Sequence, residues 1–241
     1  LEDIKIINAE LALSDLEILE KNYQKLKKTQ KTEDDKKKIS VIEKAIELIS
    51  KEQRILNNLD KDEIEYLNIF QLISIKPVVY VCNVDENSSV NGNSHTKSIE
   101  EYSKLNNSET LLVSAKIESE ISQISDNEEK KMFLDSMGLK ETGLKRVIKK
   151  GYALLNYINF FTAGEKELRA WTISKGTLAP SAAGEIHTDM EKGFIRAETI
   201  SYEDYIEHNG ESGAKEKGKL RLEGKEYEVN DGDVMHFLFN V

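Results

Sequence analysis

Residues 78–82, VVYVC, and residues 110–113, TLLV, are two short β-branched and apolar runs. Between them lie a polar Ser/Asn-rich stretch and a segment of helical pattern. Antiparallel neighbours can be joined by a two-residue turn, whereas parallel strands need a crossover of a dozen residues or more, usually a helix. The order strand, loop, helix, strand therefore commits this part of the chain to a parallel α/β sheet. Pro77 has no N–H to donate and suits the first position of the opening strand. The stretch ENSSVNGNSHTKS (86–98) is expected to be a mobile loop, followed by a helix at about 99–105.

Upstream, Leu16, Leu19, Tyr23 and Leu26 step by three and four, and Ile39, Ile42, Ile46 and Ile49 repeat the step. That is the a/d spacing of a coiled-coil seam. Residues 27–38, KKTQKTEDDKKK, are all polar without Gly or Pro. The two helices are expected to fold back as an antiparallel arm over about 11–57, with this segment as its exposed tip. A further helix is expected within 58–75, and helices over about 127–155, punctuated by Gly138, Gly143 and Gly151. From Phe160 the texture changes. ELRAWTI, GFIRAETI, KLRLEG, KEYEV and VMHFLF have strand length, with turns at Gly176, Gly193, Gly224 and Asn230 to Asp233. LAPSAAGEI and YEDYIEHNG have room for one or two helical turns. A small mixed sheet wrapped around a short helix fits this pattern, with the domain boundary expected near Phe160, dividing 1–159 from 160–241.

Charge narrows the partners. The 241 residues carry 44 acids against 34 bases, a net charge of −10, and the pI is near 5.1. Sequence-blind binding to bare DNA or RNA needs a basic footprint, so any RNA contact has to be local. The best basic patch is LKRVIKKGY (144–152), which reads more simply as the solvated face of a helix. Cys82 is the sole cysteine, so neither an internal disulfide nor a Cys-based zinc site can form. In an apolar strand it reads as a small buried hydrophobe. No apolar run approaches the ~18–20 residues of a membrane span, and the opening LEDIKIINAE lacks the basic head and apolar stretch of a signal peptide. A cytoplasmic protein with no membrane partner is expected. Residue 1 is Leu and the first Met is Met132, so the sequence reads as a piece of a longer protein.

The two apolar strands end in the residues that can carry chemistry. In GTPases of the P-loop class, an Asn-Lys-x-Asp tetrad reads the base. Its Asn bonds the purine N7 edge, and its Asp accepts from guanine N1–H and N2–H₂. The first strand here ends in Asn83-Val84-Asp85-Glu86. Val84 replaces the Lys, and Glu86 carries its carboxylate one methylene further out, which weakens guanine selectivity. Adenine fits as well, because an Asn side chain can pair with its N6/N7 edge. The second strand ends in Ser114-Ala115-Lys116, matching a second base-contacting loop whose backbone N–H faces the purine 6-position and prefers guanine O6. The two loops thus point to different bases, leaving ATP or GTP open. Asn and Asp are also ordinary turn residues. The candidate base-binding residues are Asn83, Val84, Glu86, Ser114 and Ala115. His187, Asp189 and Glu191 in EIHTDMEKG would share one face if they lay on a strand, but a polar turn explains them better, and no metal is assigned. His236 reads as structural, and Asp231 and Asp233 as turn residues. With no serine nucleophile elbow, HExxH or CxxC in the sequence, no catalytic residue is assigned.

Residues 160–241 closely resemble the C-terminal TGS domain of the YchF/Obg-like ATPase family, most specifically in HTDMEKGFIRAE and DGDVMHFLFN. INAELALSDLE (7–17), the helical arm and NVDE follow the family in the same order. The resemblance implies the C-terminal part of a P-loop NTPase sheet with an inserted antiparallel coiled-coil arm, plus an α+β β-grasp (TGS) domain. It implies a ribosome-associated, cytosolic protein, on the large subunit, that binds and hydrolyses ATP, and GTP more weakly, with Mg²⁺. The family's base contacts carry over onto Asn83, Val84 and Glu86, with Ser114 and Ala115 in the second loop. The family's phosphate loop, Mg²⁺ ligands and switch regions precede the matched part, and no Gly-x-x-x-x-Gly-Lys-Ser/Thr occurs in the 241 residues. This chain by itself is therefore not expected to hydrolyse nucleotide. The alternative is a non-enzymatic module whose arm tip and TGS sheet dock on ribosomal RNA or protein, the nucleotide loops being vestigial.

Overall fold

The computed structural model describes residues 1–29, 31–51, 54–164 and 167–240. The chain divides into two compact units, Leu1–Val147 and Ile148–Val241. The division falls about a dozen residues before Phe160, the position at which the strand-like texture begins.

The first unit opens with a helical hairpin. Helix α1 (Glu2–Thr29) begins well before residue 11, because nothing among residues 2–10 breaks a helix and Asn8 Nδ2 donates to the Tyr102 hydroxyl at 3.1 Å. Helix α2 (Glu33–Ser50) starts at a capping box: Thr32 Oγ1 accepts from the Asp35 N–H, and the Asp35 carboxylate accepts from the Thr32 N–H. These reciprocal bonds satisfy donors that a helix start leaves unpaired, so α2 begins inside the polar stretch expected as the tip. Leu19, Ile42, Ala45 and Ile49 are buried along the seam, with Leu16, Tyr23, Leu26 and Ile46 packed against them. Positions 30, 52 and 53 of the expected arm lie outside the described residues. Helix α3 (Lys61–Asn68) stops earlier than the apolar pattern of 58–75 suggests, and Leu72 and Ile75 are buried from irregular chain. There Asp15, fully buried on α1, accepts from the N–H groups of Ile73 (2.9 Å) and Ser74 (2.6 Å). This fastens the hairpin to the segment that enters the sheet.

Strand β1 (Val79–Asn83) pairs in parallel with β2 (Glu109–Val113), in register from Val79↔Glu109 to Asn83↔Val113. Helix α4 (Ser94–Leu105) makes the crossover. The stretch 86–98 is not a mobile loop. It holds a 3₁₀ turn (Glu86–Ser88) and the first turn of α4, with Ser88, Ser89 and Thr96 buried. Asn93 caps α4 by accepting from the N–H groups of His95 and Thr96, while the Ser89 and Ser98 hydroxyls donate to carbonyls of their own turns. Three helices follow: α5 (Ala115–Gln123), α6 (Asn127–Ser136) and α7 (Gly143–Leu154). Gly138 stops α6 with φ +70°, and the Leu139 N–H returns to the Leu134 carbonyl at 2.9 Å. That is a Schellman ending, which needs a residue tolerant of the left-handed region.

The second unit holds a five-stranded sheet. Its strands are β3 (Tyr157–Ala163), β4 (Leu168–Ser174), β5 (Phe194–Ile200), β6 (Arg221–Glu223) and β7 (Val234–Phe239). Their spatial order is β4-β3-β7-β5-β6, with β3 and β7 parallel and the remaining pairs antiparallel. Helix α8 (Ala179–Ile186) lays Ala179, Ala182 and Ala183 against Phe160, Ile173, Phe194, Ala197, Met235 and Phe237. Small residues on one helix face let it sit close to the sheet, giving the β-grasp arrangement. Short helices α9 (Thr188–Lys192), α10 (Tyr202–Glu207) and α11 (Glu211–Glu216) fill the connections. KEYEV (225–229) forms no strand; it is fixed by one bridge, Leu178↔Glu228. YINFF, whose apolar run continues from α7, turns out to open β3.

Candidate functional site

The parallel pairing of β1 and β2 ends both strands at one level, so Asn83 and Val113 are partners and the two loops emerge side by side. The Val84 N–H continues the ladder to the Val113 carbonyl at 2.9 Å. Asn83 is exposed, and its Oδ1 accepts from the Ala115 N–H at 3.1 Å. Ala115 opens α5, where the first N–H groups lack partners within the helix. A side-chain carbonyl from the neighbouring strand satisfies one of them. Ser114 is buried, and its hydroxyl has no hydrogen-bond partner. Val84 is half-buried.

Glu86 and Lys116 form an ion pair across the two loops. Lys116 holds the Glu86 carboxyl below its ordinary range, and Glu86 raises the Lys116 ammonium in return. Both groups face solvent, so the pair fixes geometry more than stability. Asp85 bonds within its own loop, where Oδ1 accepts from the Ser88 N–H at 2.9 Å and caps the 3₁₀ turn. Glu118 on α5 accepts from the Gly143 and Leu144 N–H groups at 2.6 and 3.1 Å, joining the start of α7 to this edge. Gly143 is required there, because a Cβ would lie 2.9 Å from Val113 Cγ1. Lys116 and Glu118 were not among the candidate residues; the signal for Lys116 was its place beside Ala115, opposite a tetrad with a carboxylate. Burial raises the pKa of the Cys82 thiol in β1, which suits an inert packing role.

The remaining polar residues singled out in the sequence belong to the second unit. His187 is the N-cap of α9, its Nδ1 accepting from the Asp189 N–H at 3.2 Å. The segment is helical rather than extended, and Glu191 turns away to Ser181 at 3.4 Å. His236 is exposed on β7. Asp231 accepts from the Asn159 N–H at 2.8 Å. Asp233 is more than a turn residue. At 3% exposure it accepts from the Tyr227 hydroxyl (2.7 Å), the Asn230 N–H (2.9 Å) and Arg221 (3.3 Å). Residues 213–219, GAKEKGK, have Gly and Lys at phosphate-loop spacing, but Leu220 follows and Gly213 lies inside α11, so the cradle is not formed. Mg²⁺ takes hard oxygen ligands in near-octahedral geometry. Around the two loops Asp85 is engaged as a cap and Glu86 with Lys116, so these residues do not fit that ion. Among the described residues no helix is long and apolar enough to cross a membrane.

A parallel strand pair joined through a helix, with two polar loops at its carboxyl ends, is an arrangement found in P-loop-type α/β folds; a β-grasp unit follows it in the sequence. Comparison with known proteins gives the same class. Residues 157–240 match the family model YchF-GTPase_C, described as a protein of unknown function (DUF933). The ribosome-binding ATPase YchF of Haemophilus influenzae is 50% identical over 244 residues, covering 100% of this chain and 67% of that protein. Its counterpart in Bacillus subtilis is 45% identical over 246 residues, with 100% and 67% coverage. The structure of the Schizosaccharomyces pombe YchF GTPase superposes with a TM-score of 0.86 at 32% identity, over 98% of this chain and 65% of that one. The chain belongs to the YchF family. It spans about two thirds of the length of these relatives.

Proposed function

We propose that the chain supplies the base-reading and partner-binding portion of a ribosome-associated nucleotide-binding NTPase, and that its base loops favour ATP over GTP. The observation that carries this is the Asn83 Oδ1 to Ala115 N–H bond. With that N–H engaged, it does not face a guanine O6 acceptor. Glu86, the carboxylate that would read guanine N1–H and N2–H₂, is drawn to Lys116 instead. Both guanine-reading groups are occupied, while the Asn83 amide keeps an Nδ2 donor for N7 and a second Oδ1 lone pair for the adenine 6-amino group. Val84 and Ser114 shape the floor of the same edge.

Phosphoryl transfer depends on a backbone cradle and its Lys around the phosphates, and the 241 residues contain no Gly-x-x-x-x-Gly-Lys-Ser/Thr. This portion therefore holds the base without performing hydrolysis; Mg²⁺ and the phosphates belong to groups outside the two loops. The relatives named ribosome-binding support a ribosomal partner; that it is the large subunit, held by the helical arm and the TGS-like β-grasp unit, is part of this proposal. Equilibrium binding of ATP and GTP to the chain and to Glu86→Asp tests the reading. ATP is expected to bind the native chain more tightly, and Glu86→Asp to move the ratio toward GTP. Preference for GTP, or a ratio unmoved by the substitution, would overturn it.

A further inference from the structure

We infer that Lys116, which lies outside the tetrad, sets the base preference of the two loops by holding Glu86 away from a guanine edge. This role rests on the base-reading proposal for where the purine lies, and it makes the preference adjustable by salt.

Local structure gives no other reason for a lysine there. Lys116 is the second residue of α5, where the helix dipole favours an acid and disfavours a cation. Its side chain is 67% exposed, so the core does not hold it. Lys116 nevertheless reaches the half-buried Glu86 and forms the ion pair that joins the two loops.

Glu86 has no stand-in within the tetrad. Asp85 is engaged in its own turn, where Oδ1 accepts from the Ser88 N–H at 2.9 Å and Oδ2 from the Ser88 hydroxyl at 3.2 Å. Guanine offers a carboxylate two donors, N1–H and N2–H₂. Adenine has no donor at N1 and no amino group at C2, so a free carboxylate at this edge serves guanine alone. An ammonium on that carboxylate competes with guanine and leaves adenine untouched.

The competition has a second position for the ammonium. Lys116 is also drawn to Glu120, one turn further along α5. Residues at i and i+4 meet on one helix face, and Lys before Glu is the weaker order. Glu120 therefore receives the ammonium when guanine takes Glu86, without outbidding Glu86 when the base is absent. Salt screens an exposed ion pair more than hydrogen bonds from neutral guanine donors. Rising ionic strength thus frees Glu86 and moves the preference toward guanine.

The test is an amide NMR titration of the labelled full chain with GTP and, separately, ATP. It compares the native chain with Lys116→Met, Lys116→Arg, Glu86→Gln and the Lys116→Met/Glu86→Gln double variant. Losing one cation weakens attraction for both triphosphates alike, so the quantity read is the ratio of the two dissociation constants. Lys116→Met is expected to move that ratio toward GTP by a factor of about 1.5 to 5, the range for an exposed pair. Lys116→Arg should keep the native ratio, and in the Glu86→Gln background Lys116→Met should leave the ratio where it was. Raising KCl from about 50 to about 200 mM should move the native ratio the same way, with no such move in Lys116→Met. An unmoved ratio in Lys116→Met, GTP binding too weak to detect included, or an equal move in the Glu86→Gln background would overturn the inference. Native preference for GTP would sink the ATP reading while the shift in Lys116→Met still stood. Native preference for ATP that Lys116→Met leaves unchanged would sink the role of Lys116 alone.

Discussion

Replacing Asp15 by Ala removes one side chain and strips two backbone donors of their acceptor. The side chain is 0% exposed, and its two oxygens take the Ile73 and Ser74 N–H groups at 2.9 and 2.6 Å. A hydrogen bond to a charged group contributes about 1.5–3 kcal/mol. At the lower end, the two bonds amount to about 3 kcal/mol, held in the joint between the arm and the segment leading through Pro77 into β1. With a urea m-value of about 2 kcal/mol/M, the midpoint should fall by about 1.5 M. Circular dichroism at helical wavelengths follows the arm and its neighbours, while Trp171, the sole tryptophan, lies on β4 and reports the β-grasp sheet. Asp15→Ala should lower the dichroism midpoint, and Asp15→Asn, which keeps one acceptor oxygen, should recover about half the loss. A midpoint within about 0.3 M of the native value would refute the reasoning, since it would mean that water replaces both bonds at little cost.

Phe160, fully buried between Trp171 (6.4 Å) and Phe237 (5.8 Å), should cost about 3–5 kcal/mol when cut to Ala, seen as earlier unfolding by Trp171 fluorescence. The Tyr227 phenol is pushed up to about 12, by burial first and then by its bond to Asp233. The folded state thus holds that proton more tightly than the unfolded chain, whose phenol titrates near 10. Its stabilisation is complete below about pH 10 and fades as pH rises through about 12; Tyr227→Phe should abolish this alkaline component of the stability profile. For the exposed Glu86–Lys116 pair, Lys116→Met should return the Glu86 carboxyl toward its ordinary range, read by carbon NMR titration. An unmoved titration would mean that the ion pair does not form in solution.

The elements most legible in the sequence are those that local chemistry dictates. The a/d stripes at Leu16, Leu19, Ile42 and Ile49 make the arm whatever lies elsewhere, and alternating strands around LAPSAAGEI outline the β-grasp sheet. What was hidden depends on distant partners. The start of α1 needs Tyr102 to engage Asn8, and the ordered course of 86–98 depends on caps at Asp85 and Asn93. YINFF falls between the helices expected to end near 155 and the strand texture from Phe160, and becomes a strand through its pairing with β4 and β7. In the candidate site, strand ends and polar tetrads were visible as residue types. The engagement of Asn83 with Ala115 and of Glu86 with Lys116 follows from the parallel register, which no local pattern displays. Asp233 looked like any turn aspartate because its burial is produced by Tyr227 and Arg221 closing over it.

The most direct test of the base-reading account is an amide NMR titration of the labelled chain with ATP and, separately, GTP. The account places the largest ATP-dependent shifts at the Asn83 side-chain NH₂ and the Ala115 N–H, with smaller shifts for GTP at equal concentration. Shifts that are larger with GTP, or that leave Asn83 and Ala115 unmoved while other residues respond, would contradict it.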